Sequence, residues 1–193
     1  MKKFKKFIRY NFWYLKKPPW ESGITPKELV AFTNHHPPGR AVDLGCGSGT
    51  NLVHLARCGW QVVGIDFAWL AVTYASRKLK KANLPGKVFC RSVLDIPPDS
   101  EKFDLILDIG CYHGLSPDDR EKYQKQIIER CVEGGYFLLY ANLQGWREGF
   151  GVQMEEFRNL DEFFSRENEE FSNDPWGRKA VWLTFRRKKQ LNE

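Results

Sequence analysis

Eleven residues constrain this chain more than any others: Ala41-Val-Asp-Leu-Gly-Cys-Gly-Ser-Gly-Thr-Asn51. A short apolar strand over 40–44 runs into glycines at alternate positions, Gly45, Gly47 and Gly49, and a helix over 50–57 opens at once. A strand that turns on glycine directly into a helix is the first half of a βαβ unit, and such units build parallel sheets. The spacing also excludes two ligand classes. The dinucleotide fingerprint G-x-G-x-x-G needs glycine at position 50, where this chain has Thr50. No G-K-[ST] follows, so the loop is not a Walker loop.

The alternation continues downstream. Residues 61–65 and 87–91 read as strands around a helix over 68–82 that turns Leu70, Ala71, Tyr74, Ala75 and Leu79 inward. A fourth strand covers 103–107. Ser116 caps a helix that starts at Pro117, carries the stripe Tyr123, Ile127, Ile128 and Cys131, and is stopped by Gly134-Gly135. Residues 136–141 are nearly all apolar and predict a central strand. After Leu143 the pattern predicts a helix over 153–164, then strands over 167–171 and 179–185 joined by Asn173-Asp-Pro-Trp-Gly177. The expected fold is therefore α/β. It is a doubly wound, Rossmann-like, mostly parallel sheet of seven strands with an antiparallel C-terminal edge hairpin and helices on both faces. A chain of 193 residues suits one such domain, expected over 35–193 behind an N-terminal segment, 1–34. In that segment Thr25 is expected to cap a short helix, with Pro26 at its first position and Glu28 completing the box.

The acids refine the ligand. Asp43 precedes the glycine loop by two residues and would repel a phosphate while favouring a cation. Asp66, 23 residues further on at the end of the second strand, is placed to accept from both hydroxyls of a ribose. A ribose, a cationic centre and no phosphate together describe a sulfonium nucleoside, S-adenosylmethionine.

On these residues the chain resembles the class I S-adenosylmethionine-dependent methyltransferases. Asp43-Leu-Gly-Cys-Gly-Ser-Gly49 resembles the family's first motif, Val63-Gly-Ile-Asp-Phe67 the second, Ser92-Val-Leu-Asp-Ile96 the third and Phe103-Asp-Leu-Ile-Leu-Asp108 the fourth. The resemblance implies a cofactor site drawn from Asp43, Gly45, Cys46, Gly47, Asn51, Asp66, Phe67, Asp95, Ile96 and Asp108. In it Gly45 and Gly47 approach the methionine moiety, Asp66 holds the ribose, Asp95 accepts from the adenine amino group and Ile96 packs near the ring. Asp108 lies by the methionine amino group or the transferred methyl, and is carried as a catalytic candidate. Pro18-Pro-Trp-Glu-Ser-Gly23 resembles the thiopurine, thiol and tellurite-resistance branch, which implies that Trp20 covers the cofactor and that the acceptor is a small, soft nucleophile.

Methyl transfer from a sulfonium is an in-line displacement, so a base is needed only when the nucleophile arrives protonated. His113, in the loop after the fourth strand, is the candidate base or substrate-orienting group, or else a loop anchor. No metal site is expected, since the five cysteines are dispersed without C-x-x-C spacing, and dispersed thiols suit a reducing cytoplasm.

Charge is concentrated at the start. Residues 1–17 hold seven Lys and Arg and no acid, which leaves −1 for the rest of a chain of net charge +6. A nucleic-acid partner is therefore not expected of the body. Phe4, Ile8, Phe12 and Leu15 fall on one side of a helix. Three uses remain open: packing on the domain, a lid over the site, or contact with an anionic membrane surface serving a membrane-associated acceptor. No run approaches the roughly 18 apolar residues of a spanning helix.

Overall fold

The computed structural model describes residues 2–97, 101–145 and 150–189, with side chains from residue 8 onward. The seven strands make a mixed sheet, mostly parallel with antiparallel C-terminal strands. The chain divides into two compact units, Met1–Ile96 and Pro97–Glu193.

The first unit contains α1 (Lys2–Leu15), α2 (Lys27–His35), β1 (Arg40–Leu44), α3 (Thr50–Arg57), β2 (Gln61–Asp66), α4 (Trp69–Lys81) and β3 (Lys87–Cys90). β1 and β3 each pair with β2 in parallel, with Asp43 opposite Gly64 and Asp66 opposite Cys90. Four of the five β1 residues are buried, as a strand covered on both faces requires. Gly49, with φ +82°, ends the loop. A Cβ there would lie 2.7 Å from the Ala75 Cβ and 2.8 Å from its backbone, so glycine lets the start of α3 close on α4.

Two N-terminal expectations need correction. Thr25 does not cap α2. Pro26 keeps an extended ψ of 146°, no side chain caps the helix, and the first helical bond runs from Val30 N–H to the Pro26 carbonyl. The predicted apolar stripe of α1 does not pack inward either. Ile8, Phe12 and Leu15 are 52%, 59% and 65% exposed, and the Phe4 side chain lies outside the described residues. The inward face is Tyr10, Asn11 and Tyr14. The reason is a helix end. α4 begins at Ala68-Trp69 with no side-chain cap of its own, and the buried Asn11 Oδ1 accepts the Leu70 N–H at 3.1 Å. That bond sets the rotation of α1. It brings Tyr14 against Ala68, Leu70 and Ala71, and Tyr10 edge-on to Phe67 at 5.0 Å.

The second unit contains β4 (Phe103–Ile109), α5 (Pro117–Arg130), β5 (Cys131–Asn142), α6 (Arg158–Phe163), β6 (Phe164–Asn173) and β7 (Lys179–Arg187), ordered β4-β5-β7-β6. β5 is parallel to β4 and antiparallel to β7, and β6 returns along β7 as the expected edge hairpin. Ser116 caps α5 by accepting the Asp119 N–H. Gly134-Gly135 does not stop that helix. α5 ends at Arg130, and the chain passes directly into β5 through a bulge, since Phe103 faces Cys131 while Leu105 faces Tyr136. The single helix expected over 153–164 is a 3-10 turn, Met154–Phe157, followed by α6. Phe164 begins the strand because its buried ring packs edge-on against Phe185 in the core.

Among the described residues, no helix is long and apolar enough to cross a membrane, and no group of three His, Cys, Asp or Glu is arranged to hold a metal. Removing the Asn11 acceptor should expose what it holds. Asn11→Ala is expected to lower stability by about 1 kcal/mol, the usual worth of a helix cap. It should also speed amide exchange in α1 while leaving β1 and β2 protected, which hydrogen-exchange mass spectrometry would read.

Candidate active site

In the first unit the glycine loop folds back on the end of β2. The N–H groups of Gly45 and Cys46 both donate to the Ile65 carbonyl, at 2.8 and 3.1 Å. The buried Asp66 carboxylate then accepts Gly47 N–H at 3.0 Å on one oxygen and Ala68 N–H at 2.8 Å on the other. Burial pushes Asp66 up to about 6, against the lowering effect of those N–H donors. A carboxylate offers about four acceptor sites, so capacity remains beyond these bonds.

The N-terminus of α3 carries the more informative feature. In a dinucleotide site it receives a pyrophosphate. Here Glu21 stands at its approach: Ser48 N–H donates to Oε2 at 3.2 Å and Thr50 Oγ1 donates to Oε1 at 3.0 Å. Lys78 Nζ donates to Ser48 Oγ and to Thr50 Oγ1. A carboxylate already in place excludes a second anion by repulsion. The same N-terminal segment lies over the loop. A Cβ on Gly47 would come 3.0 Å from the Tyr14 hydroxyl, and Tyr14 receives the Trp20 Nε1–H at 3.5 Å. Trp20 stacks on Trp13 with ring centroids 4.4 Å apart.

The other predicted positions divide. Asp43 is buried on β1, and Cys46 is buried with its thiol held well above the usual range by burial and by Asp43 and Asp66. Asn51 sits in the first turn of α3 with a buried Oδ1 that lacks a hydrogen-bond partner among the described residues. Phe67 follows β2 and meets Tyr10. Ile96 is buried, whereas Asp95 is exposed and held by both Nε and Nη2 of Arg91, at 3.1 and 2.9 Å.

In the second unit Asp108 is wholly buried at the end of β4. It accepts Cys111 N–H at 2.7 Å, Tyr112 N–H at 3.0 Å and the Tyr123 hydroxyl at 2.6 Å. Burial pushes it up to about 6, with Tyr123 and the backbone donors opposing. With both oxygens occupied, Asp108 anchors the loop after β4.

His113 sits in a 3-10 turn (Tyr112–Gly114), with its Nδ1 accepting the Asn142 N–H at 3.0 Å. Accepting at Nδ1 places the ring proton on Nε2. Burial, with Arg178 and Arg120 nearby, lowers its pKa to about 4. The imidazole is therefore neutral, with its proton on Nε2. It also anchors the loop, through an amide N–H where a carbonyl was expected. Arg120 braces this turn from behind. It pairs with Glu156 and donates to the carbonyls of His113 and Gly151, at 3.0 and 2.7 Å. Asn142 Nδ2 reaches Asp174, whose carboxylate also takes the N–H groups of Trp176 and Arg178 and the Arg178 guanidinium.

A family profile described as a methyltransferase domain matches residues 41–135. An uncharacterized methyltransferase of Schizosaccharomyces pombe is 30% identical over 100 residues, which are 52% of this chain and 69% of that one. The chain belongs to the class I S-adenosylmethionine-dependent methyltransferases. A probable thiol methyltransferase of Arabidopsis thaliana is 29% identical over 62% of this chain and 57% of its own length. Among solved structures, 1,6-didemethyltoxoflavin-N1-methyltransferase of Burkholderia thailandensis, with its toxoflavin precursor and S-adenosylhomocysteine bound, has a TM-score of 0.78 at 18% identity. That likeness covers 97% of this chain and 90% of the other, and shows the shared fold. The chain spans 36% and 55% of the length of two further curated relatives.

Within this methyltransferase, sequence reasoning missed Tyr14, Glu21, Tyr123 and Arg120. Glu21 stood in the quoted Pro-Pro-Trp-Glu segment, but nothing local aims a loop carboxylate at a helix 27 residues away. Tyr123 was legible only as part of an apolar stripe. A His113→Asn variant checks the tautomer argument. His113 has a folded pKa below its unfolded value, so its contribution is complete above about pH 6.5 and lost as pH falls towards 4. The stability gap between wild type and variant should therefore widen from pH 4 to pH 7, by about 2–3 kcal/mol, in urea titrations.

Proposed function

We propose that the chain binds S-adenosylmethionine and transfers its methyl group to a small-molecule nucleophile that reaches the site as an anion, a thiolate or similarly soft group being favoured. The observation that carries the cofactor half is the Glu21 carboxylate at the approach to α3 beside the Asp66 anchor. That pair suits a phosphate-free nucleoside and repels a dinucleotide.

The residues fit the cofactor by their unspent capacity. Asp66 keeps lone pairs for ribose hydroxyls, and the buried Asn51 Oδ1 seeks a donor. Asp43, Gly45, Cys46, Gly47 and Phe67 line the same loop and strand ends, Trp20 covers the loop, and Asp95 and Ile96 serve the adenine. When bound, the cofactor supplies an electrophilic methyl with its leaving group attached.

The acceptor half rests on protonation. Asp108 is spent on the loop and His113 presents a proton, so neither candidate serves as a general base. For a thiolate the step balances without one: the sulfur lone pair forms the S–C bond, the sulfonium S–C bond breaks, and no proton moves. His113 Nε2–H orients an anionic nucleophile or a neighbouring acceptor atom. The likeness to the probable thiol methyltransferase of A. thaliana supports this class.

Calorimetry should show S-adenosylmethionine binding, no NAD binding, and about a tenfold or greater loss of affinity in Asp66→Asn, the cost of charged hydrogen bonds. Equal binding by both proteins would refute the cofactor reading. Release of S-adenosylhomocysteine should occur with thiols and not with alkylammonium acceptors. The pH profile of kcat/KM for two thiols should move with each thiol's own pKa. A shared inflection would reveal a protein base and overturn the acceptor reading.

A further inference from the structure

Helix α1 has a second face that nothing among the described residues covers. Its inner face is used by Tyr10, Asn11 and Tyr14. On another side, at i, i+4 and i+7, stand Ile8, Phe12 and Leu15, all more than half exposed. Contiguous large apolar side chains on a surface mark a contact site more often than chance. Arg9, Lys16 and Lys17 are exposed next to this stripe, within a stretch of 17 residues that carries seven positive charges and no negative one.

We propose that this face lays α1 on an anionic lipid bilayer. Ile8, Phe12 and Leu15 enter the boundary between headgroups and acyl chains, while the basic residues meet the phosphates. An apolar stripe flanked by Lys and Arg is the combination that an interfacial helix needs. The contact requires no rearrangement, because the Asn11 bond and Tyr14 packing hold α1 to the body from the other side. A second copy is a poorer occupant, since stripe-to-stripe pairing would bring two sets of seven positive charges together. Nucleic acid is poorer as well, since the aliphatic Ile8 and Leu15 offer bases no stacking plane. The inference is independent of which acceptor the enzyme methylates.

Co-sedimentation of the full chain with large unilamellar vesicles tests it. The protein should pellet with phosphatidylglycerol–phosphatidylcholine vesicles, stay in solution with pure phosphatidylcholine, and be released by salt. Replacing Arg9, Lys16 and Lys17 by Gln should weaken binding about fivefold per residue. Replacing Ile8, Phe12 and Leu15 by Ser should weaken it about tenfold or more. Circular dichroism should be unchanged in both, since all six side chains are exposed. Absence of pelleting with anionic vesicles at low salt would overturn the proposal. So would a folded serine variant that binds as tightly as wild type, which would leave charge alone. Sedimentation velocity showing a dimer that the serine variant abolishes would assign the stripe to a second copy instead.

Discussion

The Asp66 carboxylate is the interaction on which the first unit turns. It stands at the last position of β2 and joins two segments that otherwise have no reason to meet, the glycine loop through Gly47 and the entry to α4 through Ala68. Burying an ionisable group is costly, and its raised pKa records that cost. Two directed backbone donors offset part of it and fix the carboxylate in one orientation.

Helix ends supply the second theme. Neither α3 nor α4 has a side-chain cap of its own. α4 borrows one from the N-terminal segment, Asn11, while Glu21 of the same segment holds the approach to α3 through the Ser48 N–H and the Thr50 hydroxyl. An exposed helix end would find water, but the start of α4 lies under α1, and its Leu70 N–H takes a protein acceptor. This satisfaction in trans makes residues 10–21 part of the glycine loop's surroundings. It also settles which side of α1 faces out.

The second unit solves a similar problem with different groups. Asp108 consumes both oxygens on the loop after β4, and Arg120 ties the same turn to the Gly151 carbonyl and Glu156. His113 is fixed by the Asn142 amide, which in turn leans on Asp174. The result is a loop held rigidly by polar groups that have little proton-accepting capacity left.

Much of this was legible along the chain. β1 and α3 fall where the apolar run and the glycines put them, because local sterics and hydrophobic period act over a few residues. The acids at strand ends were likewise readable by position, since parallel strands deliver their C-terminal residues to one edge. Partners were not readable. Three uses of the stripe of Ile8, Phe12 and Leu15 stayed open along the chain, and the Asn11 bond, by setting the helix rotation, left it exposed. Nor was it readable that Tyr123, 15 residues away, donates to Asp108. Sequence by itself determined the alternation, the glycine turn and the order of the acids, all governed by short-range geometry. Tertiary structure alone decided which carboxylates are spent, which tautomer His113 adopts and which face of α1 is bare, because each depends on a hydrogen-bond partner brought close only by folding.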